Sequence, residues 1–94
     1  MRFGLREYTI QEGRLDDFVS EWREQVLPLR LAMGFNVVGP WIEREASRFV
    51  WIVGYDGDLA AANQAYHDSD ERRAMDPDPV RLVVEARTIS LEAP

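Results

Sequence analysis

The chain has 94 residues, 46% of them apolar, with three Trp, three Tyr and four Phe, so it reads as one globular domain over residues 1–94. At this size only about 60–65% of the unfolded chain's surface is buried on folding, so the core is limited. A net charge of −6 with no Lys and scattered Arg excludes nucleic-acid and anionic-membrane partners, and the absence of Cys excludes disulfides and thiolate metal sites.

Phe3–Ile10, FGLREYTI, predicts a first strand, closed by the turn QEG, where Gly13 can take backbone angles that other residues avoid. Arg6 and Glu7 stand inside this run on opposite faces of the pleat, so each needs a partner of its own. From Arg14 onward Leu15, Phe18, Trp22, Val26, Leu29 and Met33 recur at steps of three and four. Asp16 and Asp17 fall in the first turn, where the helix dipole favours negative charge. That pattern predicts a long amphipathic helix ending near Gly34, interrupted at Pro28, which removes the bond to the Glu24 carbonyl.

Phe35–Arg44 and Arg48–Tyr55 predict a hairpin of two strands joined by the polar link Glu45–Ser47. Gly39-Pro40 inside the first of them marks a bulge or an edge position, because proline cannot donate to a ladder. Asp58 is placed to cap a second helix over LAAANQAYH, and Asp68 or Ser69 to restart a short one at DERRAM. DPDP, Asp76–Pro79, is an extended connector, and Val80–Leu91 predicts the fourth strand. The order β-α-β-β-α-β predicts an α+β, ferredoxin-like domain with a four-stranded antiparallel sheet.

In the third strand Phe49, Trp51, Val53 and Tyr55 point one way, and Val50 and Ile52 the other. In the second, simple alternation sets Phe35, Val37 and Trp41 against Val38 and Ile42. Both faces are apolar and two helices cover only one, so a homodimer through the other sheet face is expected. No basic stretch leads into an apolar run near Met1, and no segment reaches the roughly 18 apolar residues of a membrane span, which gives the expectation of a soluble, cytoplasmic protein.

Leu5, Arg6, Tyr8, Thr9 and Gly13, then Leu27-Pro28, Gly39, Trp41, Trp51, Tyr55 and Asp56, follow a recognisable pattern. Over about its first two thirds the chain resembles the NIPSNAP family, which opens with a Leu-Arg-x-Tyr-Thr strand and carries Leu-Pro near the end of its first helix. The likeness thins after Ala65, where HDSDERRAMDPDP is shorter and more polar than the family's pattern. The resemblance implies a dimeric α+β barrel, two ferredoxin-like sheets meeting with helices outside. Relatives on that barrel include antibiotic-biosynthesis monooxygenases, haem-binding enzymes, lactone isomerases and polyketide cyclases, so the fold alone does not fix a reaction.

Two readings of the charged strand residues stand side by side. In one, Arg6 meets Glu85 or Glu7 meets Arg87 in cross-strand or interface ion pairs. In the other, Arg6, sharing a face with Tyr8, anchors a substrate carboxylate or enolate through its planar fork. His67, the sole histidine, is the candidate general base, with Asp70 or Glu71 available to orient it. His67 with Glu71 supplies no third metal ligand, and a single His is thin support for haem, so neither metal nor cofactor is expected.

Trp41, Trp51 and Tyr55 with Tyr8 would line a flat aromatic cavity suited to a polycyclic substrate, or else simply form core. Ala60, Ala61, Ala62 and Ala65 give the second helix a thin face that leaves volume over the sheet. The acidic groups Asp16-Asp17 and Asp68-Asp70-Glu71 read as caps on solvated faces. No phosphate-binding Gly loop, Gly-x-Ser-x-Gly elbow or Cys nucleophile is present. The residues thus carry two functional readings. One is a homodimeric barrel binding a small apolar or aromatic molecule, acting without a cofactor as a monooxygenase, isomerase or cyclase, with His67 and Tyr8 in the chemistry and Arg6, Trp41, Trp51 and Tyr55 in binding. The other is a non-catalytic homodimeric ligand-binding or interaction module.

Overall fold

The computed structural model describes Met1–Pro94 and runs β1 (Arg2–Ile10), α1 (Leu15–Glu21), a π-helical turn (Trp22–Val26), α2 (Leu27–Ala32), β2 (Asn36–Glu43), β3 (Arg48–Tyr55), α3 (Leu59–Asp68), α4 (Asp70–Arg73), a 3-10 turn (Pro79–Leu82) and β4 (Val83–Glu92). The four strands form one antiparallel sheet in the order β2-β3-β1-β4, the ferredoxin-like arrangement. The expected first helix is continuous in space but reset in the middle: the Leu27 amide donates to the Trp22 carbonyl, five residues back. Pro28, which has no N–H to donate to the preceding turn, follows directly in the first turn of α2. Asp58 and Ser69 cap α3 and α4, accepting from the Ala61 and Arg72 amides at 3.0 and 3.1 Å. The fourth strand begins at Val83 rather than Val80, because the Asp78 carboxylate accepts from the Val80 amide at 3.0 Å and Pro79 opens a 3-10 turn instead.

Register decides what each face of the sheet holds. Arg6 lies opposite Trp51 and Thr88, and Tyr8 opposite Phe49 and Ala86, so these residues share the helix-covered face. Phe49, Trp51 and Val53 are at most 1% exposed there. Phe18 and Trp22 come down from the first helical run, with ring centroids 4.9 and 5.2 Å from Phe49, and Trp22 meets Trp51 at 5.3 Å. Such edge and tilted pairs contribute about 0.5–1.5 kcal/mol each beyond their burial. The whole chain is only 17 Å deep in its thinnest direction, which is one layer of helices on one sheet.

Simple alternation fails in β2. Val38 pairs with Ile52, but the next pair is Trp41 with Val50, so Gly39 and Pro40 together oppose Trp51 alone. This bulge, made with Gly39 at φ +101°, shifts the alternation by one residue. Trp41 therefore joins Val38 and Val50 on the outer face, and Ile42 takes the Phe49 side, the reverse of the expectation.

The outer face is apolar, as expected. Leu5, Val50, Ile52 and Ile89 are half-buried on it, and Val38, Trp41 and Leu91 are exposed. Within this face the Glu7 carboxylate meets Arg48 at 3.2 Å, while Arg87 is its register partner on β4. Arg6 does not meet Glu85, which lies opposite Thr9 on the other side of the pleat. No helix is long and apolar enough to cross a membrane.

Candidate functional site

Between the sheet and the helices lies a cavity of about 230 Å³. Its floor is Arg6, Tyr8, Trp51 and Thr88 from adjoining strands, brought to one side by the β1 register. One wall is Trp22, Val26 and Arg30, which follow one another at steps of four along the first helical run. The opposite wall is Tyr66 and His67 at the end of α3 and Arg72 from α4, where the Ser69 cap turns the chain. Pro79, Val80 and Val83 close the remaining side, using the 3-10 turn that displaced the start of β4.

Arg30 occupies a position that the helix pattern reserves for a hydrophobe, and it is 1% exposed. Its guanidinium lies over the Tyr66 ring at 3.7 Å, the Phe35 ring at 4.6 Å and the Trp51 ring at 5.6 Å. Nη1 donates to Asn63 Oδ1 at 2.6 Å, and no carboxylate approaches it. Burial, helped by the charge of Arg6, lowers its pKa from the ordinary arginine value to about 10, so it stays charged at neutral pH. Arg6 reaches the same Trp51 ring, also at 5.6 Å. Nε of Arg6, Nε of Arg30 and the indole N–H groups of Trp22 and Trp51 are buried with no acceptor. A buried donor left unpaired costs about 1–3 kcal/mol.

His67 sits at the exposed rim, its ring packed edge-on against Tyr66 at 5.2 Å. Partial burial, followed by the charges of Arg30, Arg6 and Arg72, lowers its pKa from the ordinary histidine value, with Asp68 opposing. The imidazole is therefore neutral at neutral pH and can accept a proton. Asp70 and Glu71, expected to orient it, instead occupy the first turn of α4. Burial raises the Tyr66 pKa, with the Arg30 charge pulling the other way. Arg72 is tied to Asp78 at 3.1 Å. No three His, Asp or Glu side chains come together as a metal site.

Four of the six residues expected at a site, Arg6, Tyr8, Trp51 and His67, thus line one cavity. Trp41 does not, because the bulge turns it to the outer face, where it is 52% exposed. Tyr55 shares the helix side but lies at the end of β3, tilted against Phe35 at 5.3 Å. Without those two rings the cavity is below the roughly 300–1,000 Å³ of drug-sized pockets, suiting a single ring with a short arm rather than a polycycle. The thin alanine face does leave space, but as a separate hollow of about 370 Å³ bounded by Ala60, Asn63 and again Arg6. A wider groove of about 430 Å³ beside Pro28 and Met75 is open and has Glu71 as its one charged wall residue. Sequence reasoning missed Arg30, Trp22, Tyr66 and Arg72. The signal for Arg30 was its step of four from Val26 on the buried stripe.

No protein-family model and no curated protein matches this chain. Solved structures do. An uncharacterized NIPSNAP domain protein from Burkholderia xenovorans superposes with a TM-score of 0.86 at 18% identity, covering 100% of this chain and 95% of the other. A NIPSNAP family protein from Agrobacterium tumefaciens gives 0.85 at 18% identity, covering 97% and 90%. The chain has the fold of the NIPSNAP domain structures. An antibiotic biosynthesis monooxygenase matches at a TM-score of 0.72 and 15% identity, with 99% and 98% of the two chains covered. The NIPSNAP-type fold thus extends over the polar segment after Ala65, where the likeness in sequence thins, and at these identities the likeness is one of fold.

Proposed function

We propose that the protein is a cytoplasmic homodimer that binds a small aromatic or apolar molecule in the cavity between Trp51, Tyr8 and Tyr66 and acts on it without a bound cofactor. One observation carries this reading: the cavity combines ring walls with a neutral imidazole and a cationic floor, a combination that mere packing does not need. The step this arrangement suits is proton transfer. A neutral His67 nitrogen takes the proton from an acidic C–H or phenolic O–H of the ligand, and the negative charge left on the ligand oxygen faces Arg6. Tyr8, on the same strand face, binds or relays at the ligand oxygen. Loss of that proton is a first step common to isomerisation, cyclisation and reaction of an electron-rich ring with dioxygen.

The homodimer part of the proposal rests on the outer face, where Trp41, Val38 and Leu91 stand 52%, 46% and 38% exposed beside the half-buried Leu5, Val50 and Ile52. A second copy laid on this face would convert it to core and leave the cavity on the helix side of each protomer. Crystals soaked with single-ring fragments test the site. Fragment density between Trp51 and Tyr8 is the expected result, and binding confined to the outer face or the groove beside Met75 would overturn it. The non-catalytic reading draws on the position of His67, which lies at the exposed rim with the Tyr66 ring packed against it and no side-chain hydrogen bond to orient it. If His67→Ala keeps full turnover of an identified substrate, His67 is not the base.

A further inference from the structure

The chain has eleven arginines, and seven of them have a carboxylate partner at 2.6–3.7 Å. Of the other four, Arg23 and Arg87 are exposed to water, while Arg6 and Arg30 line the cavity. In a chain with seventeen acidic side chains, the two arginines that are both unpaired and withdrawn from solvent are withdrawn into the same place. None of the 15 residues around that place is acidic.

The hydrogen-bond account points the same way. The four buried side-chain polar atoms without a partner are Nε of Arg6, Nε of Arg30, Nε1 of Trp22 and Nε1 of Trp51. All four are N–H donors, and all four belong to residues lining this cavity. Donors that have surrendered water and found no acceptor within the fold are complementary to a group that only accepts and is negatively charged. Arg30 cannot obtain that group from the chain, since its one side-chain acceptor is the amide oxygen of Asn63 at 2.6 Å. The Trp51 ring lies within 5.6 Å of both guanidiniums and the Tyr66 ring 3.7 Å from that of Arg30, and a planar guanidinium fork matches the two oxygens of a planar carboxylate.

We propose that the ligand of this cavity is a small planar oxyanion, a carboxylate or enolate on an aromatic or apolar body, held between Arg30 and Arg6 as paired anchors. The proposal rests on the reading of the cavity as a ligand site and narrows it to a charge class. It also makes Arg30 a binding residue rather than a buried structural cation.

The test uses phenylacetate and phenylacetamide, which share a shape and differ by one charge, titrated calorimetrically into the full chain at pH 7 in low chloride. Phenylacetate is expected to bind about ten- to a hundredfold more tightly than the amide, the range of a charge-assisted contact. Arg30→Met removes that preference while phenylacetamide still binds. Asn63→Asp, nearly isosteric, places a carboxylate against Arg30 from within and is expected to raise Tm and abolish phenylacetate binding; it carries the test even if Arg30→Met does not fold. Equal affinity for the two probes, or a preference that survives both substitutions, overturns the charge class but leaves the cavity a ligand site. Binding of neither probe overturns both.

Discussion

Replacing Arg30 by Met removes the guanidinium and keeps an unbranched stem in the same slot, so it isolates what the charge costs. Burial and repulsion from Arg6 bring the Arg30 pKa down from the ordinary arginine value, by a little over two units, to about 10. At roughly 1.4 kcal/mol per unit, the folded state carries about 3 kcal/mol of charge penalty at neutral pH. Against it stand the hydrogen bond to Asn63 at 2.6 Å, contributing about 1 kcal/mol net, and the stacking over Tyr66 at 3.7 Å, contributing about 2 kcal/mol when desolvated. These terms cancel to within about 1 kcal/mol. Arg30→Met is therefore expected to unfold in urea within about 1 kcal/mol of the wild type, or about 8 °C in Tm at most for a domain of this size. Breaking a structural buried pair would instead cost about 3–5 kcal/mol. Urea unfolding followed by tryptophan fluorescence and far-UV circular dichroism measures the difference, and a loss above about 3 kcal/mol would show that Arg30 holds the fold together and refute the reasoning.

Ile52→Arg puts a charge in the middle of the outer face, and sedimentation at micromolar concentration is expected to find a dimer for the wild type and a monomer for the variant; a monomeric wild type ends the homodimer proposal. His67 has a folded pKa below its unfolded one, so as pH falls from about 6.5 the unfolded state binds the proton first and stability drops until the folded pKa is passed. In His67→Gln that part of the pH dependence of urea unfolding is expected to disappear, and an unchanged profile would mean the ring is not desolvated. Gly39→Ala forces a side chain into φ +101° and is expected to cost about 1–3 kcal/mol, with the exposed Trp41 ring, 3.0 Å from the new Cβ, able to move aside. A neutral outcome by thermal unfolding would mean the bulge can re-form without it.

Element order was legible because each element carries its own period and punctuation. β3 could be read to its ends, since Arg48 and Tyr55 bound a run of β-branched and aromatic residues with a polar link before it and Asp56-Gly57 after it. The alternation of β2 was not legible past Gly39. Gly-Pro announces an irregularity but does not say how many residues it absorbs, and one extra residue sends Trp41 to the opposite face. Of the two ion-pair alternatives for β1, the register sets Glu7 opposite Arg87, with the Glu7 carboxylate itself paired to Arg48 on β3, and leaves Arg6 opposite Thr88 rather than Glu85; charge signs alone could not choose between the two registers.

Half of the site was visible for a physical reason that also explains the missing half. Arg6, Tyr8, Trp51 and His67 attract notice because charge in a strand, or a sole histidine, breaks a local pattern. Arg30 breaks one as well, but a helix stripe defined by Leu29 and Met33 can be drawn so that Arg30 falls at its edge, and Arg at such an edge ordinarily reaches out to solvent. Here the π turn at Trp22–Val26 resets the stripe, and Trp22, Val26 and Arg30 become the line that faces the sheet. An irregular helical turn has thus put a cation where packing alone would favour Leu or Met, at a cost that the aromatic rings offset only in part. Departures of this kind persist where a residue serves something other than stability. The fold is intelligible without Arg30, whereas four donors lining the cavity, Nε of Arg6 and Arg30 and the indole N–H groups of Trp22 and Trp51, find no acceptor within the chain.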